Sequence, residues 1–476
     1  MKKNLRIKEE AKQIINWICK YLANNESYKV LPDIKPKSVY NSLEKFAPLQ
    51  GQALDNIFEE FKKNILPGIT HWSHPKFFAY FNSSSTMPAV FAELIRSAIN
   101  TNSMLWKASP GATEVEEKTL EWFAQLVGLT KLKGISYEGG AIASFHALAA
   151  MREEKIGSEY RKKGLMGVKN VSPAIYLTSQ THNSIHKALF ALGFGADNFR
   201  FVDTKADFSM DTKALCKMIK KDKKNNNKPV CVVATLGTTS CTAIDPIKKI
   251  VNICEKNNLF LHVDAAHGGS AAILKKVRKK YKGWEKADSI LINPHKWFFV
   301  PIGLSVLYMK SPELFKKTFH YSAEYLKTDF DGKIINYMDY GLPLGRCFRC
   351  LKLWFSLKYY GVDFFKTIIK NHLRYAKSVY SFFEKSEDFE IMAPKPLSTV
   401  CFRAIPRNSQ DIDSFNKELM QKINSTGKFF LSHTKLNSKF VLRHVISGFH
   451  TKEKHIKQFI KHLIRLKAKM DKQVVS

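Results

Sequence analysis

Hydrophobic and polar positions alternate in blocks through the middle of the chain. Short apolar runs at 174–177, 230–234, 259–263 and 289–292 each end in a polar or glycine-rich turn, and segments with helical periods lie between them. Continuous β-prone runs of this length, divided by helices, are typical of a mostly parallel sheet with helices on both faces. Ligands of such sheets bind at the carboxyl ends of the strands. We therefore predict a large α/β domain at 86–375 with a ligand site at that edge.

The two ends of the chain show helical periods instead. A stripe near the N-terminus predicts an amphipathic helix that packs against another surface. Its apolar members are Ile14, Ile15, Ile18 and Leu22. A second stripe near the C-terminus has lysines on its opposite face and consists of Ile456, Phe459, Ile460 and Leu463. We predict an N-terminal helical segment at 1–85 and a small α+β domain at 376–476 on either side of the large domain.

The charge of the chain is strongly unbalanced. Its 476 residues include 76 Lys+Arg and 42 Asp+Glu, a net charge of +34. Such an excess attracts nucleic acid, anionic lipid or acidic metabolites through long-range electrostatics. The lysines are scattered, however, and the densest runs, 221–228 and 275–280, have the pattern of solvated helix faces and loops. We attribute the excess to composition and expect no nucleic-acid partner, with a polyanion-binding surface as the alternative.

The eight cysteines are dispersed and show no disulfide-framework spacing, which favours a reduced, cytoplasmic compartment. Cys347 and Cys350 have CxxC spacing, but they fall within the predicted helical run 346–357 and have no second ligand pair, so we predict no metal site. The N-terminus has no signal-peptide core, and the chain has no stretch of about 18 uninterrupted apolar residues. We therefore predict no membrane span.

A lysine follows the apolar run 289–292 directly. Asn293, Pro294 and His295 precede Lys296, and the proline restricts the backbone there. Burial at a strand end disfavours the ammonium form and brings the amine toward the neutral nucleophile that forms a Schiff base. The alternative is one of many surface lysines at a strand end.

An aspartate ends the preceding apolar run. Asp264 is followed by Ala265 and Ala266 and, after His267, by two glycines. A fixed negative charge therefore lies beside small side chains, which leave room for a flat ring. A carboxylate paired with a pyridine nitrogen keeps the ring protonated, as the electron sink of pyridoxal 5′-phosphate (PLP) chemistry requires. The alternative is a helix cap. The separation of Asp264 and Lys296, about 30 residues, is the length of one crossover, which predicts that both lie at the same sheet edge.

Three further turns fit the same ligand. Gly139 and Gly140 precede a helical run at 145–151 and would present backbone N–H groups to a phosphate. His182 follows the run 174–177 and could stack on the cofactor ring, although a lone histidine is more often structural. A turn with hydroxyl groups that includes Thr239 follows the run 230–234. Together, five turns are predicted to converge on PLP.

With these residues in place, the chain resembles the group II PLP-dependent amino-acid decarboxylases over nearly its whole length, and within them the aromatic-L-amino-acid decarboxylases that act on tyrosine, dopa or tryptophan. The motifs that carry the resemblance are Asn293–Trp297, His262–Ala266, His71-Trp72, Phe77–Phe81, Ala108–Pro110 with Thr113-Glu114, and Pro343–Arg346. The resemblance implies the PLP-dependent transferase-like fold, which is the aspartate aminotransferase fold type I.

The resemblance also implies roles for individual residues. Lys296 matches the lysine that carries the cofactor, Asp264 the partner of the pyridine nitrogen, and His182 the ring-stacking histidine. Tyr325 matches the catalytic proton donor on a mobile loop, here 322–333. The implied cofactor-binding set is Gly140, Ala141, Ile142, His182, Thr239, Asp264, Ala266, Asn293, His295 and Lys296.

The implied substrate pocket consists of Trp72, Tyr80, Phe81, Ser83, Met104 and Gly345, with Met104 contributed by the partner subunit. The resemblance therefore implies a homodimer, in which 1–85 is the dimerisation segment. The glycine loop departs from many relatives, which carry a hydroxyl, an acid and an asparagine where Ala141, Ile142 and Ser144 stand. Phosphate binding is then expected to depend on backbone N–H groups and Ser144.

The predicted function is a carboxy-lyase that converts an aromatic L-amino acid to its amine and CO2. Relatives that favour histidine tend to carry serine where Gly345 stands, but a histidine or other amino-acid decarboxylase is kept as an alternative. A second alternative is an aldehyde synthase, in which the decarboxylated intermediate reacts with oxygen. Such relatives tend to lose the residues matched by His182 or Tyr325, and both are present here. A polyanion-binding protein on a decarboxylase scaffold is the non-enzymatic alternative.

Overall fold

The computed structural model describes residues 2–164, 167–168, 172–321, 334–407 and 410–473. The chain divides into two compact units. The unit that we call the seven-stranded unit comprises Pro88–Ser378 and Ala393–Val400. The unit that we call the five-stranded unit comprises Met1–Met87, Val379–Met392 and Cys401–Ser476. The division into three domains drawn from the sequence stays a prediction.

Sixteen α-helices lie within these described ranges: α1 Lys2–Ala23, α2 Ser38–Ser42, α3 Leu54–Glu60, α4 Met87–Ile99, α5 Pro110–Val127, α6 Gly140–Ile156, α7 Tyr160–Lys163, α8 Asn183–Ala191, α9 Thr212–Lys224, α10 Ile247–Asn257, α11 Lys275–Arg278, α12 Pro294–Trp297, α13 Pro312–Phe319, α14 Leu351–Glu384, α15 Ile412–Ser425 and α16 Glu453–Gln473. Helix α14 is broken at Gly361, whose φ is 69°.

Twelve strands lie within the same ranges: β1 Phe77–Phe78, β2 Lys133–Tyr137, β3 Pro173–Leu177, β4 Phe199–Phe201, β5 Lys228–Thr235, β6 Phe260–Asp264, β7 Ser289–Ile292, β8 Ser305–Met309, β9 Phe389–Ile391, β10 Thr399–Ala404, β11 Phe430–Leu436 and β12 Lys439–Val445. The four apolar runs that predicted strands are β3, β5, β6 and β7, so those four predictions are confirmed.

The larger sheet has the strand order β2-β8-β7-β6-β5-β3-β4. Strands β4, β3, β5, β6 and β7 pair in parallel, whereas β8 is antiparallel to both β7 and β2. Every residue of β3, β6 and β7 is buried, as expected for strands covered on both faces. The predicted α/β fold with a mostly parallel central sheet is confirmed.

Helix α6 packs on this sheet through residues that belong to two buried clusters. Ala143, Ala147 and Ala150 belong to one buried cluster with Leu291 and Leu307. The other buried cluster contains further residues of α6, Leu148, Ala149 and Met151. Because alanines let the helix axis lie close to the strands, the N-terminus of α6 is held near the carboxyl ends of β6 and β7.

The smaller sheet has the strand order β1-β11-β12-β10-β9. Strands β11 and β12 form an antiparallel hairpin whose turn residues, Asn437 and Ser438, have φ of 50° and 64°. Helix α16 buries Ile456, Phe459 and Leu463 of the predicted stripe, and Ile460, its fourth member, is half-buried. Helices and a largely antiparallel sheet thus form this unit, in agreement with the α+β prediction for the C-terminal region.

The predicted helical run 346–357 is wrong in its first turn. Helix α14 begins at Leu351, and Cys347 instead forms an isolated β-bridge with Asn102. The cause is tertiary: the Arg346 amide donates to the Asn102 side chain at 2.9 Å, and the Arg346 carbonyl accepts from the Ser103 amide at 2.7 Å, which holds the segment extended. All eight cysteines are free thiols.

Two features that the sequence predicts to be absent are a membrane span and a metal site. Over the described ranges, none of the helices combines the length and the apolar character needed to cross a bilayer. The same ranges contain no cluster of three or more His, Cys, Asp or Glu side chains arranged to hold a metal ion.

Candidate active site

Lys296 lies in the short helix α12, one turn beyond the end of β7. Pro294 occupies the first position of this helix and Asn293 precedes it as the N-cap. Burial lowers the pKa of the Lys296 amine, and the negative charge of Asp264 opposes this shift. A lowered pKa increases the fraction of neutral amine, which is the nucleophilic form.

Asp264 is the last residue of β6 and is buried. Its Oδ1 atom accepts a hydrogen bond from the Ala266 amide at 3.0 Å, which orients the carboxylate. The turn after β6 is bonded to β7 and to the turn that follows it: the Ala265 amide donates to the Leu291 carbonyl at 2.9 Å, and the Asn293 amide donates to the Ala266 carbonyl at 3.1 Å. The structure therefore brings residues 264 and 296 to one sheet edge.

The paired glycines form the start of α6. Gly139 is the N-cap and is extended, and Gly140 is the first helical residue. A Cβ atom on Gly140 would lie 2.9 Å from Asn293 Nδ2, so glycine is needed for α6 to approach the N-cap of α12 this closely. The first amides of a helix have no acceptor within it, and Ala141 and Ile142 are exposed here. Backbone N–H groups are thus available for an anion.

Ser144 has another partner than the one expected from the sequence. Its hydroxyl is fully buried and lies 3.2 Å from Nε2 of His262 on β6. The other ring nitrogen of His262 lies 2.8 Å from the Ser289 hydroxyl on β7. Ser144 therefore ties the first turn of α6 to the sheet, and the expected phosphate contact of its side chain is not supported by this geometry.

His182 is the N-cap of α8, and its Nδ1 accepts a hydrogen bond from the Ser184 amide at 3.2 Å. Burial lowers the pKa of His182, the Asp264 charge raises it, and the Lys296 charge lowers it. These mutual influences place His182 in the same electrostatic environment as the lysine and the aspartate. Because Nδ1 is an acceptor, a neutral His182 carries its proton on Nε2.

The turn after β5 needs a glycine at its tightest point. Gly237 has a φ of 95°, and a Cβ atom there would lie 3.3 Å from the backbone of Gly268. The Thr238 hydroxyl accepts a hydrogen bond from the Ala243 amide at 3.0 Å, whereas Thr239 is exposed. The turn therefore orients the predicted cofactor residue Thr239 outward while its neighbour stabilises the turn.

His295 is held by the strand next to β7. Its Nδ1 donates a hydrogen bond to the Leu304 carbonyl at 2.7 Å. Burial, together with the adjacent Lys296 charge, lowers the pKa of His295 to about 4. The ring is therefore neutral near pH 7, with the lone pair on Nε2.

These residues fit pyridoxal phosphate. The Oδ1 atom of Asn293 is buried without a hydrogen-bond partner among the described residues, at the point where the open N-terminus of α6 meets α12. A buried carboxylate and a lysine of lowered pKa lie at the same edge. A ligand that fits this edge therefore has a group that reacts with the lysine amine, a cationic ring nitrogen that pairs with the carboxylate, and an anionic group.

Sequence reasoning missed a ring stack behind Lys296. The indole N–H of Trp297 donates to Nδ1 of His372 at 2.9 Å. The His267 ring is stacked on the indole, with ring centroids 4.4 Å apart and an interplanar angle of 7°. His267 follows the Asp264 turn and Trp297 follows Lys296, so the stack couples both turns. The only sequence signal was a large aromatic residue beside the lysine.

A buried ion pair was also missed. Arg346 Nη2 lies 2.8 Å from Glu116 Oε1 and donates to the Ser136 carbonyl at 2.8 Å. This pair anchors the residue after Gly345. The Met104 carbonyl accepts from the Met338 amide at 3.1 Å, so Met104 is also held at its backbone.

The other predicted pocket residues belong to the five-stranded unit. Trp72 and Tyr80 are exposed and their rings stack at 5.8 Å. Phe81 is buried, with the Arg443 guanidinium 5.6 Å from its ring centre, and Ser83 is half-buried. Tyr80 has a φ of 47°, a conformation uncommon for a residue with a side chain. Tyr325 and the rest of 322–333 lie outside the described residues.

Comparison with known proteins gives one family. The family described as "Pyridoxal-dependent decarboxylase conserved domain" matches residues 36–405. Tryptophan decarboxylase 2 of Oryza sativa subsp. japonica is 32% identical over 464 residues, covering 95% of this chain and 92% of that protein. Phenylacetaldehyde synthase of Arabidopsis thaliana is 33% identical over 462 residues, covering 95% of this chain and 94% of that protein.

The fold also has a solved counterpart. The crystal structure of Oryza sativa TDC with PLP and tryptamine superposes with a TM-score of 0.92 at 31% sequence identity. The superposition covers 98% of each chain. The resemblance to the PLP-dependent transferase-like fold that the motifs imply is therefore confirmed at the level of the whole chain.

Proposed function

The chain belongs to the pyridoxal-dependent decarboxylase family, and on that premise we propose that it removes the α-carboxylate of an aromatic L-amino acid as CO2 and releases the amine. The observation that supports this most directly is the shared sheet edge of Lys296 and Asp264, where burial lowers the pKa of the amine while the carboxylate opposes the shift. Relatives with more than 30% identity are named decarboxylases of tryptophan and tyrosine.

The proposed cofactor contacts follow from the geometry of this edge. Lys296 would hold the cofactor covalently, Asp264 would accept a hydrogen bond from the ring nitrogen, and the first amides of α6 would bind the phosphate. Ala266, Thr239, Asn293 and His295 would complete the set. When bound, pyridoxal phosphate supplies an electron sink for the pair left behind as CO2 departs.

The chain supplies the proton chemistry. Asp264 is fixed by its bond to the Ala266 amide, so its charge needs no reorganisation during the reaction. His182 has its proton on Nε2, which allows it to donate toward the substrate side while Nδ1 holds the cap of α8. We assign proton return at the substrate α-carbon to Tyr325, directly or through His182. The residues 322–333 would exclude water while this proton is delivered.

The aromatic preference is part of the proposal. The family resemblance assigns Trp72, Tyr80, Phe81, Ser83, Met104 and Gly345 to the substrate pocket, and the first three would supply its aromatic side chains. A Cβ atom on Gly345 would lie 3.9 Å from Asn102 Nδ2, an ordinary contact distance, so the backbone itself does not require glycine there. We infer that glycine at this position leaves volume in the pocket for a large aromatic substrate side chain.

A second candidate is an aromatic aldehyde synthase, because phenylacetaldehyde synthases of Arabidopsis thaliana and Petunia hybrida are 33% and 32% identical to this chain. Oxygen would then intercept the decarboxylated species, giving aldehyde, ammonia and peroxide in place of the amine. The retained His182 favours the decarboxylase, since it supplies an Nε2 proton for the competing protonation.

We further propose that the enzyme is a homodimer in the cytoplasm. Side chains along 34–57 support an interface, because several large apolar residues there are strongly exposed, among them Tyr40, Phe46 and Leu49. Sedimentation of the full chain as a monomer with full activity would contradict the dimer. Recovery in a secreted or membrane fraction would contradict the location.

One assay tests the function. Tyrosine, dopa, phenylalanine, tryptophan, histidine and glutamate are each supplied to the PLP-loaded enzyme, and CO2, amine, aldehyde and peroxide are quantified together. We expect CO2 and amine in equal amounts from at least one aromatic amino acid. Equal aldehyde and peroxide would identify the synthase, and turnover of histidine or glutamate alone would contradict the aromatic preference.

A further inference from the structure

Helices α9 and α10 line a shallow, open groove of about 560 Å³ on the surface of the seven-stranded unit. Four of its lining residues are lysines, namely Lys213, Lys217 and Lys220 from α9 and Lys249 from α10. All four are exposed, and Cys216 and Ile253 form a half-buried floor between them. The groove therefore presents a concentrated positive charge, although the sequence alone shows only scattered lysines.

The ammonium groups of the four groove lysines are available to bind an anion. Within the described ranges, none of the four ammonium groups forms an ion pair with a carboxylate. The three acids of these helices and their N-caps have other partners. Asp211 caps α9 by accepting from the Lys213 amide at 2.8 Å, Asp222 lies 2.9 Å from Arg200, and Glu255 lies 3.4 Å from Lys286. Unpaired cations at this density repel one another, and an anionic ligand would remove that repulsion.

The geometry of α9 fits a linear ligand. The helix contains six lysines in 13 residues and buries the opposite face through Leu215 and Ile219. Lys213, Lys217 and Lys220 follow one another on one face and span about 10.5 Å at a rise of 1.5 Å per residue. One strand of a duplex carries one phosphate per about 3.4 Å of helix axis, so this span corresponds to about three intervals, or about four successive phosphates.

We propose that this groove binds the phosphate backbone of nucleic acid without sequence preference. Its lining has no aromatic side chain on which a base could stack, so recognition is limited to charge. A membrane surface fits less well, because interfacial helices pair their cations with large exposed apolar residues, and the apolar Ile253 is half-buried in a concave floor. The proposed site is separate from the decarboxylase site and does not depend on it.

The test compares two variants with the same loss of charge. The groove variant carries Lys213→Gln, Lys217→Gln, Lys220→Gln and Lys249→Gln. The control variant carries Lys275→Gln, Lys276→Gln, Lys279→Gln and Lys280→Gln, which change an equally exposed lysine cluster of the same unit. Binding of a labelled 20-base-pair duplex of random sequence to the PLP-loaded enzyme is measured by fluorescence anisotropy from 50 to 200 mM salt.

We expect the wild-type affinity to fall on the order of 100-fold over this salt range through four phosphate contacts. The groove variant should lose about 3 to 4 from the slope of log affinity against log salt, and the control variant less than about 1. Unchanged decarboxylation by both variants shows that they are folded. An equal loss in both variants, or no duplex binding at 50 mM salt, overturns the proposal.

Two further measurements distinguish nucleic acid from other polyanions as the ligand of the groove. Vesicles with 30% phosphatidylserine and a poly-glutamate competitor are tested with the same proteins. Weak vesicle binding that does not depend on the groove lysines, and poor competition by poly-glutamate, support a nucleic-acid site. Groove-dependent vesicle binding stronger than duplex binding, or poly-glutamate competition equal to that of unlabelled duplex, overturns it in favour of a membrane or an acidic protein segment.

Discussion

Each of the two sheets buries one histidine completely, and the two histidines differ in every polar contact. His262 on β6 has both ring nitrogens hydrogen-bonded, to the Ser289 and Ser144 hydroxyls. His444 on β12 has no hydrogen-bond partner at either nitrogen among the described residues, and its ring packs between Phe78 and Phe459 at 4.4 Å from each. Burial lowers the pKa of both, to about 4 for His262 and about 3 for His444.

The difference shows what each unit requires of a buried polar group. In the seven-stranded unit, His262 joins β6, β7 and α6, so its hydrogen bonds position the site: β6 ends at Asp264, β7 leads into the helix of Lys296, and α6 begins at the glycine turn. In the five-stranded unit, His444 serves as a flat ring in an aromatic cluster, and its nitrogens are desolvated without compensation. The same residue type is thus a connector in one sheet and a packing element in the other.

The largest effect is expected at Lys296, in the site that the hydrogen bonds of His262 position. Lys296→Ala should lower decarboxylation by roughly 1,000-fold or more, because it removes the nucleophile that holds the cofactor. The protein-bound cofactor absorbance should also disappear after desalting. Lys461→Ala, an exposed lysine of the five-stranded unit, is the control and should retain both signals. Full turnover and retained absorbance in Lys296→Ala would refute the assignment.

The second-largest effect is expected at His262 itself. His262→Phe leaves the Ser144 and Ser289 hydroxyls buried without the ring partner, so the unfolding free energy of the seven-stranded unit should fall by about 2–4 kcal/mol. Because Ser144 lies in the first turn of α6, cofactor retention should fall as well. Hydrogen exchange in urea, read from peptides of β6 and α6, measures the first effect. An unchanged exchange profile would show that the two hydroxyl contacts do not stabilise the sheet.

The matched substitution in the other sheet should have the opposite sign. His444→Phe replaces an unpaired buried imidazole with a ring that needs no hydrogen bond, so the unfolding free energy of the five-stranded unit should rise by about 1–3 kcal/mol. Peptides of β12 and α16 report this in the same exchange experiment. A loss of stability would mean that the ring nitrogens of His444 are satisfied in solution.

The advantage of His444→Phe should also depend on pH. The folded pKa of His444 is about 3, and the unfolded value is about 6.5. Its contribution to stability is therefore fully present above pH 6.5 and is lost as pH falls toward 3, by up to about 1.4 kcal/mol per pH unit. Phenylalanine removes this loss, so the gap between variant and wild type should widen from pH 6.5 to 4.5. A constant gap would contradict the lowered pKa.

A smaller effect is expected behind Lys296. Trp297→Phe keeps a ring against His267 but removes the indole N–H that donates to His372, which should cost about 1 kcal/mol of unfolding free energy. His372→Asn offers an amide oxygen to the same donor and should recover part of the loss relative to His372→Leu. Identical behaviour of the asparagine and leucine variants would show that the hydrogen bond does not matter.

The smallest change in stability is expected at the pocket. A Cβ atom on Gly345 would make only an ordinary contact with Asn102, so Gly345→Ser should change the unfolding free energy by less than about 0.5 kcal/mol. The substrate profile should nevertheless shift from aromatic amino acids toward histidine, because the added hydroxyl reduces the pocket volume and adds a polar group. A profile identical to wild type would remove Gly345 from the pocket.

Much of the seven-stranded unit was predictable because its signals are local. The apolar runs that became β3, β5, β6 and β7 are continuous, as burial on both faces demands. Lys296 and Asp264 were predictable as neighbours because consecutive parallel strands end at one edge. The helical run 346–357 was predicted wrongly in its first turn, because hydrogen bonds from distant residues hold it extended.

The sequence by itself determined four strands of the larger sheet, the family, and the placement of Asp264 and Lys296 at one sheet edge, because periodicity and short motifs are properties of neighbouring residues. Only the tertiary structure decided which polar groups are paired: it joined Ser144 to His262, Trp297 to His372 and Arg346 to Glu116, and it left His444 without a hydrogen-bond partner among the described residues. It also gathered scattered lysines into one groove. Hydrogen bonds and surface charge depend on distances between residues far apart in the chain, and those distances exist only after folding.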